Sequence, residues 1–467
     1  MTKELTNQKI QTRRSFIKGV GGLSAALTAT AFSTELLARN PQQNNNFNSK
    51  CQFSKLATKF IYLNSGTEGS MPDCVINELA NKQNQWAEDP TTSYELDKSL
   101  GKHQHLNREK VAEFFSVTKN NITLTDNTTM GLSMAIMGLN FSSTDKVIVT
   151  NHEHNAIVSP LAILQTRLGL TVKTRNFPST TKLSKMGEAD LFEFLFPDTD
   201  ELRGAKALCV SHVYPTTGAR LSLKTLRKKA DELSIQYLIV DGAQAFGMLD
   251  LGQGTEKITH TDFYACPGHK WLNGPPSTGI LYIKNSKISP PEFYPTLSQR
   301  MSKYILEGKI IETDFSMAEA LQVRGCSNTP GFSAMLSAIS FVKELGGTNA
   351  IEKRILLLSN IVKDFITSRS PKSLVSPFKA ETLLSGLTVF FPFSWENPDK
   401  LFYDKKTADR IVRKLMENNI QIRSIGFEDV SDQTKKRYAL RISTGIFNSS
   451  EQLNIFRERL KEVLMSI

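Results

Sequence analysis

Between residues 120 and 285 short apolar runs alternate with stretches of helical period. The runs 146–150, 207–213, 237–241 and 278–283 have strand length and are rich in Val, Ile and Leu, and 171–176 reads as a further, more polar strand. Continuous apolar runs of that length fit strands covered on both faces. Helical stretches lie between them, at 131–139 and 223–233. Strands alternating with helices predict an α/β domain with a mostly parallel, doubly wound sheet. Upstream, 60–64 predicts a short strand and turn, and 106–115 an amphipathic helix. Downstream, 332–345 is a long apolar stretch predicting a helix that joins two domains. Beyond it, strands at 386–391, 420–425 and 438–443 mix with helices at 407–418 and 451–464, the pattern of a small α+β domain. The expected division is 55–335 for a large domain with its N-terminal segment and 336–467 for a small one.

The candidate chemistry gathers at one end of this pattern. Asp241 closes an apolar run, at the C-terminal strand edge where open α/β sheets bind ligands. About thirty residues later Lys270 stands in the turn Gly-His-Lys-Trp, before a Gly/Pro-rich loop. A lysine there can form a Schiff base with a carbonyl, and a nearby aspartate can keep a pyridinium nitrogen protonated. Pyridoxal 5′-phosphate (PLP) asks for that pair. Taken singly, a loop lysine is a solvated charge and an aspartate after an apolar run is a helix cap.

The two segments together, VDGAQA followed by PGHKW, resemble the class V aminotransferase family of PLP-dependent enzymes, which includes cysteine desulfurases and isopenicillin N epimerase-like proteins. The resemblance runs from about residue 55 to the end and implies the aspartate-aminotransferase-like fold (fold type I), a homodimer, and PLP held by Lys270. It implies that Asp241 pairs with the ring nitrogen, that His154 in Asn-His-Glu-His stacks on the ring and shuttles protons, and that Gln244 lies near the ring oxygen. Thr128, Thr129 and His269 would hold the phosphate; a hydroxyl at a helix start also caps free N–H groups. Arg441 in Leu-Arg-Ile-Ser resembles the arginine that forks onto the substrate α-carboxylate, and Asn64 lies in a segment close to the site. Cys326 stands where relatives carry a threonine that reaches the partner subunit's phosphate. A desulfurase needs a mobile cysteine shortly before the carboxylate-binding arginine, and 425–438 has none. The expected reaction is therefore transamination or epimerisation of an amino acid. α,β-Elimination and an exported scaffold that has lost activity are the alternatives.

Charge and the N-terminus change the picture in one respect. The net charge of +11 first points to nucleic acid or a membrane surface. Residues 1–38 hold five Lys/Arg against two Asp/Glu, +3, which leaves +8 scattered over the rest without a basic stripe; nucleic acid is not an expected partner. Thr12-Arg13-Arg14-Ser15-Phe16-Ile17-Lys18, followed by a mildly apolar, charge-free stretch, fits a twin-arginine export signal over 1–38, and 39–54 is a polar linker. The stretch is too short to predict a stable membrane span. Export machinery and a periplasmic location are the expectation. Five cysteines show no metal-ligand spacing and predict no disulfide framework.

Overall fold

The computed structural model describes residues 52–56, 60–90, 103–288, 292–294, 316–322, 327–429 and 436–467. The proposed signal and the contact ascribed to Cys326 lie outside these residues. A two-residue strand, β1 (Ile61–Tyr62), precedes seven strands: β2 (Ile122–Thr125), β3 (Lys146–Thr150), β4 (Thr171–Arg175), β5 (Ala207–Ser211), β6 (Tyr237–Asp241), β7 (Phe263–Pro267) and β8 (Gly279–Ile283). They form one sheet in the order β2-β8-β7-β6-β5-β3-β4. Neighbours pair in parallel except β8, which is antiparallel to both β7 and β2.

The side-chain period of two explains why the central strands are apolar throughout. Leu208, Val210, Leu238 and Val240 enter a core on one face, while Ala207, Cys209 and Ile239 enter a second core on the other. Helices supply the opposing apolar surface on each side, among them Thr128–Gly138 and Asn155–Leu168 against the second core. The edge strand β4, TVKTR, alternates toward solvent and carries Lys173 and Arg175, a charged edge of the kind that resists further strand pairing.

Downstream, β9 (Leu387–Phe390), β11 (Arg423–Glu428) and β12 (Lys436–Ser443) make an antiparallel sheet in the order β11-β12-β9. The short β10 (Ile420–Gln421) pairs in parallel with β1, so the first strand of the described chain docks beside a late one. Helices Gly347–Arg369, Lys405–Glu417 and Ser450–Met465 cover this region through Leu358, Val362, Ile411, Leu415 and Phe456.

The differences from the sequence reading have local causes. The apolar stretch at 332–345 is not the whole connection: helix Thr329–Glu344 ends at Gly346 and Gly347, whose φ of 94° and 84° reverses the chain into the 23-residue helix Gly347–Arg369. The run 420–425 is two strands. Cys74 is disulfide-bonded, whereas Cys209 and Cys266 are free and buried. That corrects the reading from cysteine spacing, because disulfide pairing depends on separation in space. Among the described residues no helix is long and apolar enough to cross a membrane.

Candidate active site

Six strands of the large sheet, β2 to β7, release their chains at the same edge, and the candidate residues leave from it. Asp241 ends β6, is 3% exposed, and accepts a hydrogen bond on Oδ1 from Ala243 N at 2.8 Å. The turn between them needs Gly242, since a Cβ there would lie 2.3 Å from the Tyr264 ring. Burial pushes the Asp241 carboxyl up, against the lowering effects of the Ala243 N–H, Lys270 and His154.

Lys270 follows β7 in a loop closed by Gly274 N to Gly268 O at 2.8 Å and Asn273 N to Lys270 O at 3.1 Å. The 66–69 turn presses on this loop: Gly69 N donates to His269 O at 2.7 Å, and a Cβ on Gly69 would sit 1.9 Å from the Lys270 carbonyl oxygen. Only glycine fits there. Burial lowers the Lys270 amine to about 8; Asp241 opposes that shift, and Arg441 and Arg423 reinforce it. An amine so placed is a nucleophile near neutral pH.

His154 caps the helix Asn155–Leu168, its Nδ1 accepting from Ala156 N at 3.2 Å. The cap fixes the ring and leaves the neutral tautomer with its proton on Nε2. Burial lowers its basicity, with Asp241 opposing and Lys270 and Arg423 adding to the effect. Its neighbour Glu153 was not singled out by sequence. It accepts from Thr150 Oγ1 at 2.7 Å, Ser211 Oγ at 2.7 Å and Tyr214 Oη at 3.0 Å, and burial raises it to about 7. His152 lies outside the site proper, buried between Phe177 and Phe427 with Nδ1 2.8 Å from Thr216 Oγ1.

The opposite wall belongs to the smaller sheet. Arg441 of β12 is 3% exposed and donates through Nη2 to Thr67 Oγ1 at 2.7 Å and to Asn64 Oδ1 at 3.3 Å, while its Nε has no partner. Burial lowers its pKa, as does the Arg423 charge. Asn64 thus supports the arginine from behind instead of facing a ligand alone. Gln244 is used at both ends, donating from Nε2 to Gly66 O at 2.8 Å and accepting on Oε1 from Trp271 Nε1 at 2.9 Å. One Nε2 hydrogen remains for a ligand oxygen. His154, Asp241, Gln244, Lys270, Arg423 and Arg441 line a single cavity of about 410 Å³.

Thr128, Thr129 and His269 are not in that wall. They leave the same sheet edge: Thr125 of β2 and Pro267 of β7 both pair with Gly279 of β8. Here one expectation is corrected. Asn127 caps the helix Thr128–Gly138, its Oδ1 accepting from Met130 N at 2.9 Å, so neither threonine is needed as a cap. Thr129 is exposed. Thr128 Oγ1 and His269 Nδ1 are buried with no hydrogen-bond partner. Buried polar atoms are nearly always satisfied, and two orphans beside a helix N-terminus fit an anion such as a phosphate. The donor set therefore fits PLP: an amine and a carboxylate lining one cavity, a fixed imidazole, and two unpartnered polar atoms for a phosphate.

The model of the family Aminotransferase class-V matches residues 61–456. The chain belongs to that family. Its fold is that of the fold type I PLP-dependent enzymes, and its cofactor is PLP. A probable cysteine desulfurase of Methanothermobacter thermautotrophicus is 27% identical over 51% of this chain and 55% of its own length. The cysteine desulfurase of Yersinia pestis (strain Pestoides F) is 27% identical over 61% of this chain and 68% of its own. The match to the first spans little more than half that relative's length. Among solved structures, the cystine C–S lyase C-DES in complex with cysteine persulfide has a TM-score of 0.69 at 24% identity, covering 88% of this chain and 99% of that one. The apo cysteine desulfurase of Thermococcus onnurineus NA1 also has a TM-score of 0.69, at 21% identity, covering 88% and 96%.

Arg423, Thr67 and Glu153 are the site residues that sequence reasoning missed. Arg423 carried no signal beyond lying in a predicted strand, since its place opposite Arg441 comes from strand register. Thr67 and Glu153 carried none, because their roles come from contacts across the fold.

Proposed function

We propose that the protein acts at the α-carbon of an amino acid, by transamination or epimerisation. The observation that carries this reading is the convergence of Lys270, Asp241 and Arg441 on one cavity. When bound, the cofactor supplies a conjugated ring that accepts electrons from the α-carbon. Arg441 grips the α-carboxylate through the Nε–H that has no partner in the protein and thereby orients the α-hydrogen. Asp241 accepts a hydrogen bond on the oxygen that Ala243 leaves free. The Lys270 amine, poised near 8, takes the α-proton at Nζ and returns it there or elsewhere. Convergence of all three groups also speaks against a scaffold without activity. The test is amino-acid profiling of the PLP-loaded protein with and without a keto-acid acceptor. Turnover that requires the acceptor marks transamination, and appearance of the opposite enantiomer without it marks epimerisation. No reaction of either kind defeats the reading.

The names of the curated relatives favour a second reading, cleavage of a carbon–sulfur bond. Persulfide formation on a protein thiol has no support among the described residues: 425–438 contains no cysteine, and burial raises the thiols of Cys209 and Cys266. Elimination needs no such thiol, and sulfide release from cysteine or cystine detects it.

We also infer export through the twin-arginine pathway, on the strength of Arg13-Arg14 and the apolar stretch behind them. The disulfide at Cys74 fits an oxidising compartment. Replacing both arginines by lysine should retain the precursor in the cytoplasm; unchanged export overturns the assignment.

A further inference from the structure

The cavity holds one more fixed cation than an α-amino acid of neutral side chain requires. Arg423 of β11 and Arg441 of β12 are direct partners across the antiparallel pair. Both guanidiniums reach the same hydroxyl: Arg423 Nη1 lies 3.1 Å and Arg441 Nη2 2.7 Å from Thr67 Oγ1. Thr67 passes its own proton to Asn64 Oδ1 at 2.8 Å, so its oxygen is free to accept from both. The arrangement pins two like charges side by side. Among the described residues neither guanidinium has an acidic partner. The same wall adds Lys270, against one carboxylate, Asp241.

Three positive groups face one carboxylate in this wall, with the exposed Glu68 the further acid that acts on Lys270, so the wall favours an incoming anion to correct the balance. The cofactor phosphate does not, because Thr128 and His269, with their orphaned atoms, stand apart from this wall. The two arginines also differ in depth. Arg441 is buried, whereas Arg423 is exposed. Residues directly opposite in an antiparallel pair have Cβ atoms about 5 Å apart, comparable with the span between the two acid groups of a four-carbon amino acid.

We propose that the substrate is an amino acid whose side chain carries a second anionic group at the β- or γ-position, with Arg441 taking the α-carboxylate and Arg423 the side-chain anion. This rests on the reading of the protein as an amino-acid enzyme. Arg423 is then the residue that sets specificity. Aspartate and cysteinesulfinate present the same charge from a carboxylate and a sulfinate, and both fit the chemistry of a guanidinium fork.

The PLP-loaded full chain is titrated with aspartate, cysteinesulfinate, asparagine and alanine while the visible absorbance of the bound cofactor is followed. At least one of the two acids should bind on the order of tenfold more tightly than asparagine, the least expected of a charge-assisted pair; which acid does so distinguishes carboxylate from sulfinate. In Arg423→Gln that ratio should fall to about one, and Arg423→Lys should restore part of it. Equal affinity for asparagine and both acids in the unsubstituted protein overturns the proposal and leaves the amino-acid reading standing. So does an Arg423→Gln variant that weakens acid and amide by the same factor, since Arg423 would then act only by holding Thr67. A spectrum that no amino acid perturbs overturns both.

Discussion

Two lysines in this molecule meet the same physics in different places. Lys270 stands at the C-terminal edge of the large sheet, and Lys363 lies inside the helix Gly347–Arg369, packed under the small sheet. Burial lowers both amines, Lys270 to about 8 and Lys363 to about 7. Their surroundings differ. Lys270 opens onto a cavity with Asp241, Arg423 and Arg441 around it. Lys363 is 1% exposed and closed in by oxygens, donating to Ser359 Oγ at 2.6 Å and Ser385 O at 3.0 Å. A perturbed amine is therefore not by itself a sign of catalysis. Access and a set of convergent partners make the difference.

The comparison breaks first at Lys270. Lys270→Ala should abolish turnover and eliminate the borohydride-reducible attachment of PLP, whereas Lys363→Met should leave both intact. A subtler form uses pH. Only the neutral amine attacks a carbonyl, and burial brings Lys270 to about 8. The rate of PLP capture by the apoprotein should rise with pH up to about 8 and then level off. A rate still climbing toward the ordinary lysine value of about 10.4 would show that the amine is not desolvated as described.

Arg441 gives the next largest effect. Arg441→Lys loses the unpartnered Nε–H and the planar fork together. Removing a buried charge-assisted contact costs about 2–5 kcal/mol, so KM for the amino acid should rise about 30-fold or more. PLP absorbance should persist, because attachment rests on Lys270, Asp241 and the phosphate donors. An amine without the α-carboxylate, poor with either protein, should be little affected; equal loss toward amine and amino acid would mark Arg441 as structural.

The sheet edge was legible in the sequence because its residues sit at strand ends, where a period-two apolar run stops and a polar residue must face the ligand. Asp241 could be placed that way, whereas Lys270 and His154 were placed by the motifs PGHKW and Asn-His-Glu-His and the resemblance they carry. The second wall was legible only at Arg441. Arg423 acquires its meaning from the register of β11 on β12, and Thr67 from a contact spanning 374 residues of chain. No local pattern records either. Capping, the other reading of the threonine pair, fails for a related reason: Asn127 one residue earlier holds that position. The helix reading over 332–345 stopped at the two-glycine break, and the helix beyond it, Gly347–Arg369, was not read from the sequence.

Lys363 yields the smallest effect on activity and the cleanest sign in stability. Its folded pKa is depressed to about 7 from an unfolded value of about 10.4. Between those values the unfolded chain binds the extra proton. Burial thus destabilises the fold fully below about pH 7, and the penalty disappears as pH rises toward the unfolded value. Stability should climb by at most about 1.4 kcal/mol per pH unit in that window from this one group. The only charge opposing the shift is Asp364, and Ser359 already donates to Ser385 O at 2.9 Å, so the hydroxyl and carbonyl remain partnered when the amine is removed. Lys363→Met should therefore raise the denaturation midpoint at pH 6 to 7, flatten its rise toward pH 9, and leave KM unchanged. Chemical denaturation of both proteins at pH 6.5 and pH 9 measures the difference directly. A variant as pH-dependent as the unsubstituted protein would place the titrating amine elsewhere, with Lys270 next to be tested in the apoprotein.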